Sequence, residues 1–300
     1  MSKIALIQKI RDIYARGENV LRFLEQNSNM NDWESIMISY DFQAGTYTKL
    51  AAEKKEYFDA YTAAIAAAIP DLHAQRSILE VGVGEATVMN PLMAKIDPHG
   101  TMRKQGFDIS WSRVRYAKQN ALAAGNNSDF FTANLFNIPL PDNSVDIVYT
   151  SHSLEPNGGK EKEALRELYR VANHYVVLLE PDYENATPQG RERMQHHGYV
   201  KDLARHAAEL GFEVVTNRAF DVSINPLNPT GLTIIRKATT TAVAADGFIC
   251  PITRTQLSPC GGALFSREAG LIYPIIDGIP CLLEGAVILG VHFGEFNQVT

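Results

Sequence analysis

ILEVGVGEAT, residues Ile78–Thr87, sets an apolar run against two glycines, and its reading decides the fold. Ile78, Leu79 and Val81 suit a short buried strand. Gly82 and Gly84 suit a turn that opens a helix and lets backbone approach a ligand closely. A lone G-x-G is weak evidence, so its neighbours matter. The dinucleotide fingerprint G-x-G-x-x-G/A wants a small residue at 87, where Thr87 stands; Ala86 supplies the third small side chain instead. Glu80 precedes the first glycine by two positions, where it repels a pyrophosphate and suits a ligand carrying an ammonium group. Asp108 lies 24 residues after Gly84, a spacing that suits a carboxylate accepting both ribose hydroxyls. The pattern describes a cationic, ribose-bearing ligand without a pyrophosphate.

Outward from this corner, apolar runs alternate with helical patterns. TMRKQGFDIS (101–110), DFFTANL (129–135), VDIVYTSHSL (145–154) and HYVVLLEPDYE (174–184) read as strands. VMNPLMAKI, SWSRVRYAKQNALAAG and KEKEALRELYRVAN read as helices, the last turning Leu165, Leu168, Tyr169 and Ala172 inward; RERMQHHGYVKDLARHAAELG reads as one helix ended by Gly211. FEVVTNRAF and GLTIIRKA follow with no helix between them, which predicts an antiparallel hairpin at the sheet edge. Alternation of this kind predicts an α/β fold with a mostly parallel sheet and crossover helices.

ILEVGVGEA, GFDIS, ANLFNIPLPDNSVDIVYTSHSLE and YVVLLEP stand in an order and spacing that resembles the class I S-adenosylmethionine-dependent methyltransferases, over roughly residues 75–237. The resemblance implies a Rossmann-like seven-stranded sheet, S-adenosylmethionine as cofactor and S-adenosylhomocysteine as product. It places Glu80, Gly82 and Gly84 at the methionine end, Asp108 on the ribose and Ile109 against adenine. Asn134, followed by Leu135, occupies the place of the family's acidic residue near the adenine amine, and an asparagine oxygen can still accept from that amine. Asp142 and Asp146 read as turn and strand-start residues.

Ligands of such sheets bind beyond the carboxyl ends of the strands. Ser151, His152, Glu155 and Asn157 follow the fourth strand, and Glu180, Asp182, Tyr183 and Glu184 follow the fifth. Ser151 is assigned to the cofactor, His152 and Glu155 to catalysis, and Asp182 and Tyr183 to the acceptor. His152 is the first candidate base, with structural packing an equal alternative. His196 and His197 read as a solvated face. Glu155, Asp182 and Glu184 together favour a polar or cationic acceptor over an anionic polymer.

Residues 1–76 read as a helical extension. ALIQKIRDIYARGENVLRFLEQ sets Ile7, Ile10, Ile13 and Tyr14 on one face, and AEKKEYFDAYTAAIAAAIPDL forms a second helix stopped near Pro70. ISYDFQAGTY between them reads as a polar-aromatic loop whose Tyr40, Asp41, Gln43 and Tyr47 could cover the site, with Tyr40 and Tyr47 assigned to substrate binding. Residues 77–238 form the cofactor-binding domain, 239–247 a linker and 248–300 a small separate module. In that module FICPITRTQL and LIYPIIDGIPCLL resemble a family of zinc-ribbon-like proteins, some of which bind and activate methyltransferases. The family's second cysteine is Thr253 here, Cys260 is misplaced and Cys281 stands at an aliphatic position, so no metal is expected. The resemblance implies edge-to-edge pairing with a methyltransferase sheet, either within the chain or through a homodimer.

With 45% hydrophobic and 21% charged residues, the composition is that of a globular chain able to bury a core. Three cysteines make no disulfide framework and fit a reducing cytoplasm. No apolar run is long enough to span a membrane. A net charge of −6 argues against a nucleic-acid footprint, although Arg103, Lys104, Arg113, Arg115 and Lys118 cluster in sequence. The expected activity is methyl transfer to oxygen or nitrogen of a small polar metabolite. The alternatives are a tRNA or protein methyltransferase with a fused activator, and a non-catalytic cofactor-binding scaffold.

Overall fold

The computed structural model describes residues 3–16, 23, 33–238 and 247–297. Its main sheet comprises β1 (Ser77–Val81), β2 (Arg103–Asp108), β3 (Asp129–Thr132), β4 (Val145–Ser151), β5 (Ala172–Pro181), β6 (Glu213–Ala219) and β7 (Thr230–Arg236), in the order β3-β2-β1-β4-β5-β7-β6. Strands β1 to β5 pair in parallel, and β7 joins β5 and β6 antiparallel. This is the mostly parallel sheet that the alternation predicts, in the Rossmann-like seven-stranded form that the resemblance implies. All five residues of β1 are buried, as a central strand covered on both faces requires. The strand order reverses between β1 and β4, which opens a crevice at their carboxyl ends.

Side chains alternate between two cores. Leu79, Val148, Val176 and Leu178 face one layer, with Leu165 and Leu168 of the helix Glu161–Val171 and Ala207 of the helix Leu203–Glu209. Ile78, Ile147, Val177 and Leu179 face the other, with Tyr61 and Ile65, Met89 and Leu92, and Val114 and Ala117. Asp142 pairs with Arg170, and Asp146 accepts from the Arg76 and Ser77 amides, so both acids hold the frame together.

Upstream lie α1 (Lys3–Ala15), α2 (Trp33–Phe42), α3 (Thr46–Glu53) and α4 (Lys55–Ala68). Ile10 and Ile13 of α1 are buried, whereas Tyr14 is exposed. The expected loop at 38–47 is instead the end of α2, a turn at 43–45 and the start of α3. The helix continues because Ile36 and Tyr40 are a turn apart and share a face over the crevice. The single helix expected over 191–211 is two, α8 (Pro188–His196) and α9 (Leu203–Glu209), counting Met89–Ile96, Trp111–Ala123 and Glu161–Val171 as α5, α6 and α7. The intervening chain serves tertiary contacts: Val200 N donates to Glu155 O, and Gly158 N to Gly198 O. A Cβ on Gly158 would stand 2.4 Å from Gly198 O, so only glycine permits this approach. No helix among the described residues is long and apolar enough to cross a membrane.

A second, antiparallel sheet follows, with β8 (Ser258–Cys260), β9 (Ala263–Ser266), β10 (Leu271–Ile276), β11 (Ile279–Pro280) and β12 (Ile288–Leu289). It covers the edge strand β3, where Leu282 N donates to Thr132 O at 2.9 Å. Phe248 meets Phe131 edge-on at 4.9 Å, a contact worth about 1 kcal/mol beyond its area. Cys250, Leu257 and Tyr273 belong to one core of the main sheet and Ile279 to the other. Lys118 donates to Asp277 O and Arg115 pairs with the Asp277 carboxylate, so two members of the sequence's basic cluster bind this sheet. Lys104 is buried against Asp97 at 3.1 Å.

Candidate active site

One cavity of about 360 Å³ opens at the carboxyl ends of β1, β2 and β4. Its floor begins at the glycine turn. Gly82 sits at φ 69, and a Cβ there would lie 2.3 Å from Ser153 Cβ, so the turns after β1 and β4 pack backbone to side chain. Asp108 locks the corner: its Oδ2 accepts from Gly84 N at 3.0 Å and its Oδ1 from Ser110 N at 2.9 Å. Burial raises the Asp108 pKa, against the pull of Arg113 and these amides. Glu80 is 2% exposed and accepts from the Tyr149 hydroxyl at 2.7 Å. Burial pushes its pKa up to about 8, with the Tyr149 hydrogen bond pulling down and Asp108 adding to the rise. A cation placed beside Glu80 reverses that cost and favours the carboxylate.

The upstream helices roof this corner through reciprocal caps. Asp41 of α2 accepts from Ser110 Oγ at 2.7 Å and from Ser112 N at 3.1 Å, at the start of α6. Glu85 of the glycine turn accepts from Gly45 N at 2.9 Å and Thr48 N at 2.7 Å, at the start of α3. Each carboxylate satisfies amides that a helix start leaves open. Arg113, 4% exposed, lies between the rings of Tyr40 and Tyr47 at 4.6 and 4.5 Å. Such desolvated cation–π contacts are worth about 2 kcal/mol. Burial raises the pKa of both tyrosines, so they stay neutral.

Beyond Ser151, whose Oγ is 3.0 Å from the Tyr61 hydroxyl, the character changes. His152 adopts φ 53, with Nδ1 3.1 Å from Glu155 Oε2 and Nε2 2.8 Å from Thr230 Oγ1. Glu155 also accepts from Asn228 Nδ2 at 3.1 Å. An ionised carboxylate only accepts, so a neutral His152 carries its proton on Nδ1 and presents a lone pair at Nε2. Burial pulls the His152 pKa down, but the hydrogen bond and charge of Glu155, with the charge of Glu180, outweigh it and raise it above the ordinary value.

The cavity therefore gathers Glu80, Gly82, Gly84, Asp108, Ile109, Asn134, Leu135, Ser151, His152, Glu155, Tyr40 and Tyr47. Asn134 Oδ1 already accepts from Phe136 N at 3.0 Å and keeps one lone pair. The placement of Asp182 and Tyr183 differs from the sequence expectation. Asp182 N bonds to Pro229 O, which extends the β5 strand, so its side chain shares a face with Glu180 and lines a separate cavity of about 120 Å³ with Glu184. The Tyr183 hydroxyl accepts from Gln195 Nε2 at 2.6 Å, on α8. Sequence reasoning missed the roof residues Trp33, Tyr57 and Phe58, and the β6–β7 residues Asn225, Asn228 and Thr230. The helical spacing of Trp33, Ile36 and Tyr40 and the length of the β6–β7 connection were the available signals.

In the C-terminal sheet, Cys250 Sγ is 3.2 Å from the Tyr273 hydroxyl, and Cys250, Cys260 and Cys281 are all buried. Among the described residues, no group of three or more His, Cys, Asp or Glu converges as a metal site.

Residues 78–174 match the model of a methyltransferase domain family. A similar solved structure is an O-methyltransferase family protein from Burkholderia thailandensis, 16% identical, covering 79% of this chain and 72% of that one with a TM-score of 0.53. Another is magnesium protoporphyrin IX methyltransferase from Synechocystis PCC 6803 with bound S-adenosylhomocysteine, 16% identical, covering 77% and 99% with a TM-score of 0.48. Among curated proteins, the UPF0434 protein of Marinomonas sp. (strain MWYL1) is 46% identical over 41 residues; the match takes up 13% of this chain and spans 63% of that protein's length. The glycine corner with Glu80 and Asp108, the sheet order and the family match agree: residues 78–174 are a class I methyltransferase domain whose cofactor is S-adenosylmethionine.

Proposed function

We propose that the protein transfers a methyl group to an oxygen or nitrogen of a small polar metabolite, with His152 as base. The observation that carries this reading is the His152–Glu155 pair, with Nε2 directed at Thr230 inside the cavity. S-adenosylmethionine, when bound, supplies an electrophilic methyl on a positively charged sulfur. Glu80 faces its cationic end, Asp108 its ribose, and Ile109, Asn134 and Leu135 its adenine. The aromatic roof of Trp33, Tyr40, Tyr47, Tyr57 and Phe58 excludes water and packs the acceptor. The acceptor passes its proton to the Thr230 hydroxyl as that hydroxyl passes its own to His152 Nε2, while Glu155 holds Nδ1–H and stabilises the imidazolium.

Arg113 is the only lysine or arginine among the described lining residues, and its charge is spent between two tyrosines. Asp182 and Glu184 lie outside this cavity. The acceptor end thus offers Glu155, Asn157, Asn225, Asn228 and Thr230, a set that suits a neutral, hydrogen-bonding acceptor better than a polyanion. The C-terminal sheet acts, in this reading, as an accessory module working within its own chain. It holds the chain after β3 at Thr132 O, Ile138 O and Pro139 O, next to Asn134 and Leu135.

Incubation with methyl-labelled S-adenosylmethionine and a small-molecule extract tests the assignment. Label is expected in a low-molecular-weight product, and His152→Gln is expected to abolish it. Transfer to bulk tRNA or protein, or full transfer by the variant, contradicts it.

A further inference from the structure

Glu180 lies near the end of β5, behind the cavity wall, and takes no part in the chemistry above. It is 2% exposed, and its Oε1 accepts from Ser153 N at 3.1 Å and Leu154 N at 3.2 Å. These are the two amides that follow His152. The carboxyl thus sits at the back of a turn whose first residue is held left-handed, and whose Ser153 Oγ donates to Val81 O at 2.7 Å. A non-glycine residue in that region is strained and persists only where its surroundings over-determine it. Three contacts do so here: His152 N donates to Leu179 O at 2.9 Å, Ser153 is fastened to β1, and Glu180 gathers the next two amides. A carboxylate is a stronger acceptor for this purpose than a neutral group. The carboxyl is fully buried, and the Thr150 hydroxyl beside it also favours its ionised form. Keeping an ionisable group there is costly, and a glutamine would accept from the same two amides without that cost.

We propose that Glu180 is a positioning residue for the methyl-transfer site, fixing the turn that aims the His152 ring at Thr230 and biasing that ring with its charge. This inference rests on the reading of His152 as the base. Parity supports it: Leu179 belongs to the core that holds Tyr149, so Glu180 points to the opposite face, toward the back of the turn and the small cavity beside it. The charged groups around the pair are few. Glu155 and Glu180 face His152. His152, Glu155 and Tyr61 act on Glu180, and Asp182, Glu184, Asp202 and Arg205 line the small cavity on its other side. Burial pushes the Glu180 pKa up to about 7, against the pull of His152's charge, the Thr150 hydroxyl and the Leu154 amide.

The full chain labelled with ¹³C-histidine tests the proposal without an identified acceptor. The His152 ring signal, assigned by its loss in His152→Gln, is followed from about pH 5 to 9 in the wild type, Glu180→Gln and Glu180→Leu. Glu180→Gln keeps an oxygen for the two amides but removes the charge, and is expected to lower the His152 midpoint by about 0.5 pH unit or more. Glu180→Leu also removes the acceptor and is expected to shift the ring signal itself, while S-adenosylhomocysteine affinity stays within about twofold of wild type. An unchanged His152 midpoint in Glu180→Gln overturns the proposal, and this variant decides the matter alone if Glu180→Leu does not fold. Methyl transfer that survives in His152→Gln would instead remove His152 as the base, a separate result that the ring titration does not depend on.

Discussion

The two ends of the cavity are built differently. At the glycine corner, carboxylates face backbone amides: Asp108 holds Gly84 and Ser110, and Glu85 holds Gly45 and Thr48. At the other end, a carboxylate faces an imidazole, with Glu155 on His152 Nδ1 and Thr230 on Nε2. The first arrangement fixes shape and charge and suits a ligand bound the same way in every turnover. The second can gain and lose a proton near neutrality. In the proposed reading, binding and chemistry are therefore separable, and substitutions at one end should leave the other largely intact.

The largest test of that separation is His152→Gln. It is expected to lower methyl transfer by about a thousandfold, the scale of a lost general base, while donor affinity measured by calorimetry stays within about twofold. A parallel loss of donor binding would merge the two ends. Because the His152 pKa is raised, transfer by the wild type should increase with pH through the upper part of the histidine range, as the ring loses its proton. A rate independent of pH from about 6 to 9 removes the base.

A smaller effect concerns the donor end. With no cation beside Glu80, burial pushes its pKa up to about 8. A cationic donor binds the carboxylate form, so affinity should rise by up to about tenfold per pH unit below that value and level off above it. Its folded-state pKa lies above the ordinary 4.5. The stability linked to this group is therefore fully present below about 4.5 and lost as pH rises through about 8, in the ligand-free protein. Thermal melting with and without donor checks both: the shift on binding should grow with pH, and Glu80→Gln should flatten it. The smallest effect is expected for Asn228→Ala. It removes one hydrogen bond to Glu155 and should raise the acceptor KM about fivefold through a loss near 1 kcal/mol, without touching the donor Kd.

What the sequence makes legible follows the same division. Glu80, Gly82, Gly84 and Asp108 fall within one strand-turn-helix unit and the strand after it, where short spacings carry three-dimensional meaning. The mostly parallel sheet follows from the alternation of elements, whereas its strand order does not. The acceptor end is assembled from α2–α4, the turn after β4 and the β6–β7 connection, which meet only through tertiary packing. Thr230 and Asn228 have no local signature that assigns them to a histidine far away in the chain. Asp182 shows a different limit: one further residue of strand pairing, through Asp182 N and Pro229 O, decides which face its carboxylate takes. The break between α8 and α9 has one local signal, Gly198 in the left-handed region just past the end of α8, and tertiary contacts of Val200 with Glu155 and of Gly198 with Gly158 fix it.

The account depends most on the corner formed by Asp108 and the glycine turn. Titration of S-adenosylmethionine and S-adenosylhomocysteine into Asp108→Ala tests it directly. The variant loses two amide contacts and, in the proposed reading, the acceptor for the ribose, so both ligands should bind at least about tenfold more weakly, in the same proportion, because the lost interaction does not involve the methyl group. Unchanged affinity for both would contradict the placement of the cofactor in this cavity.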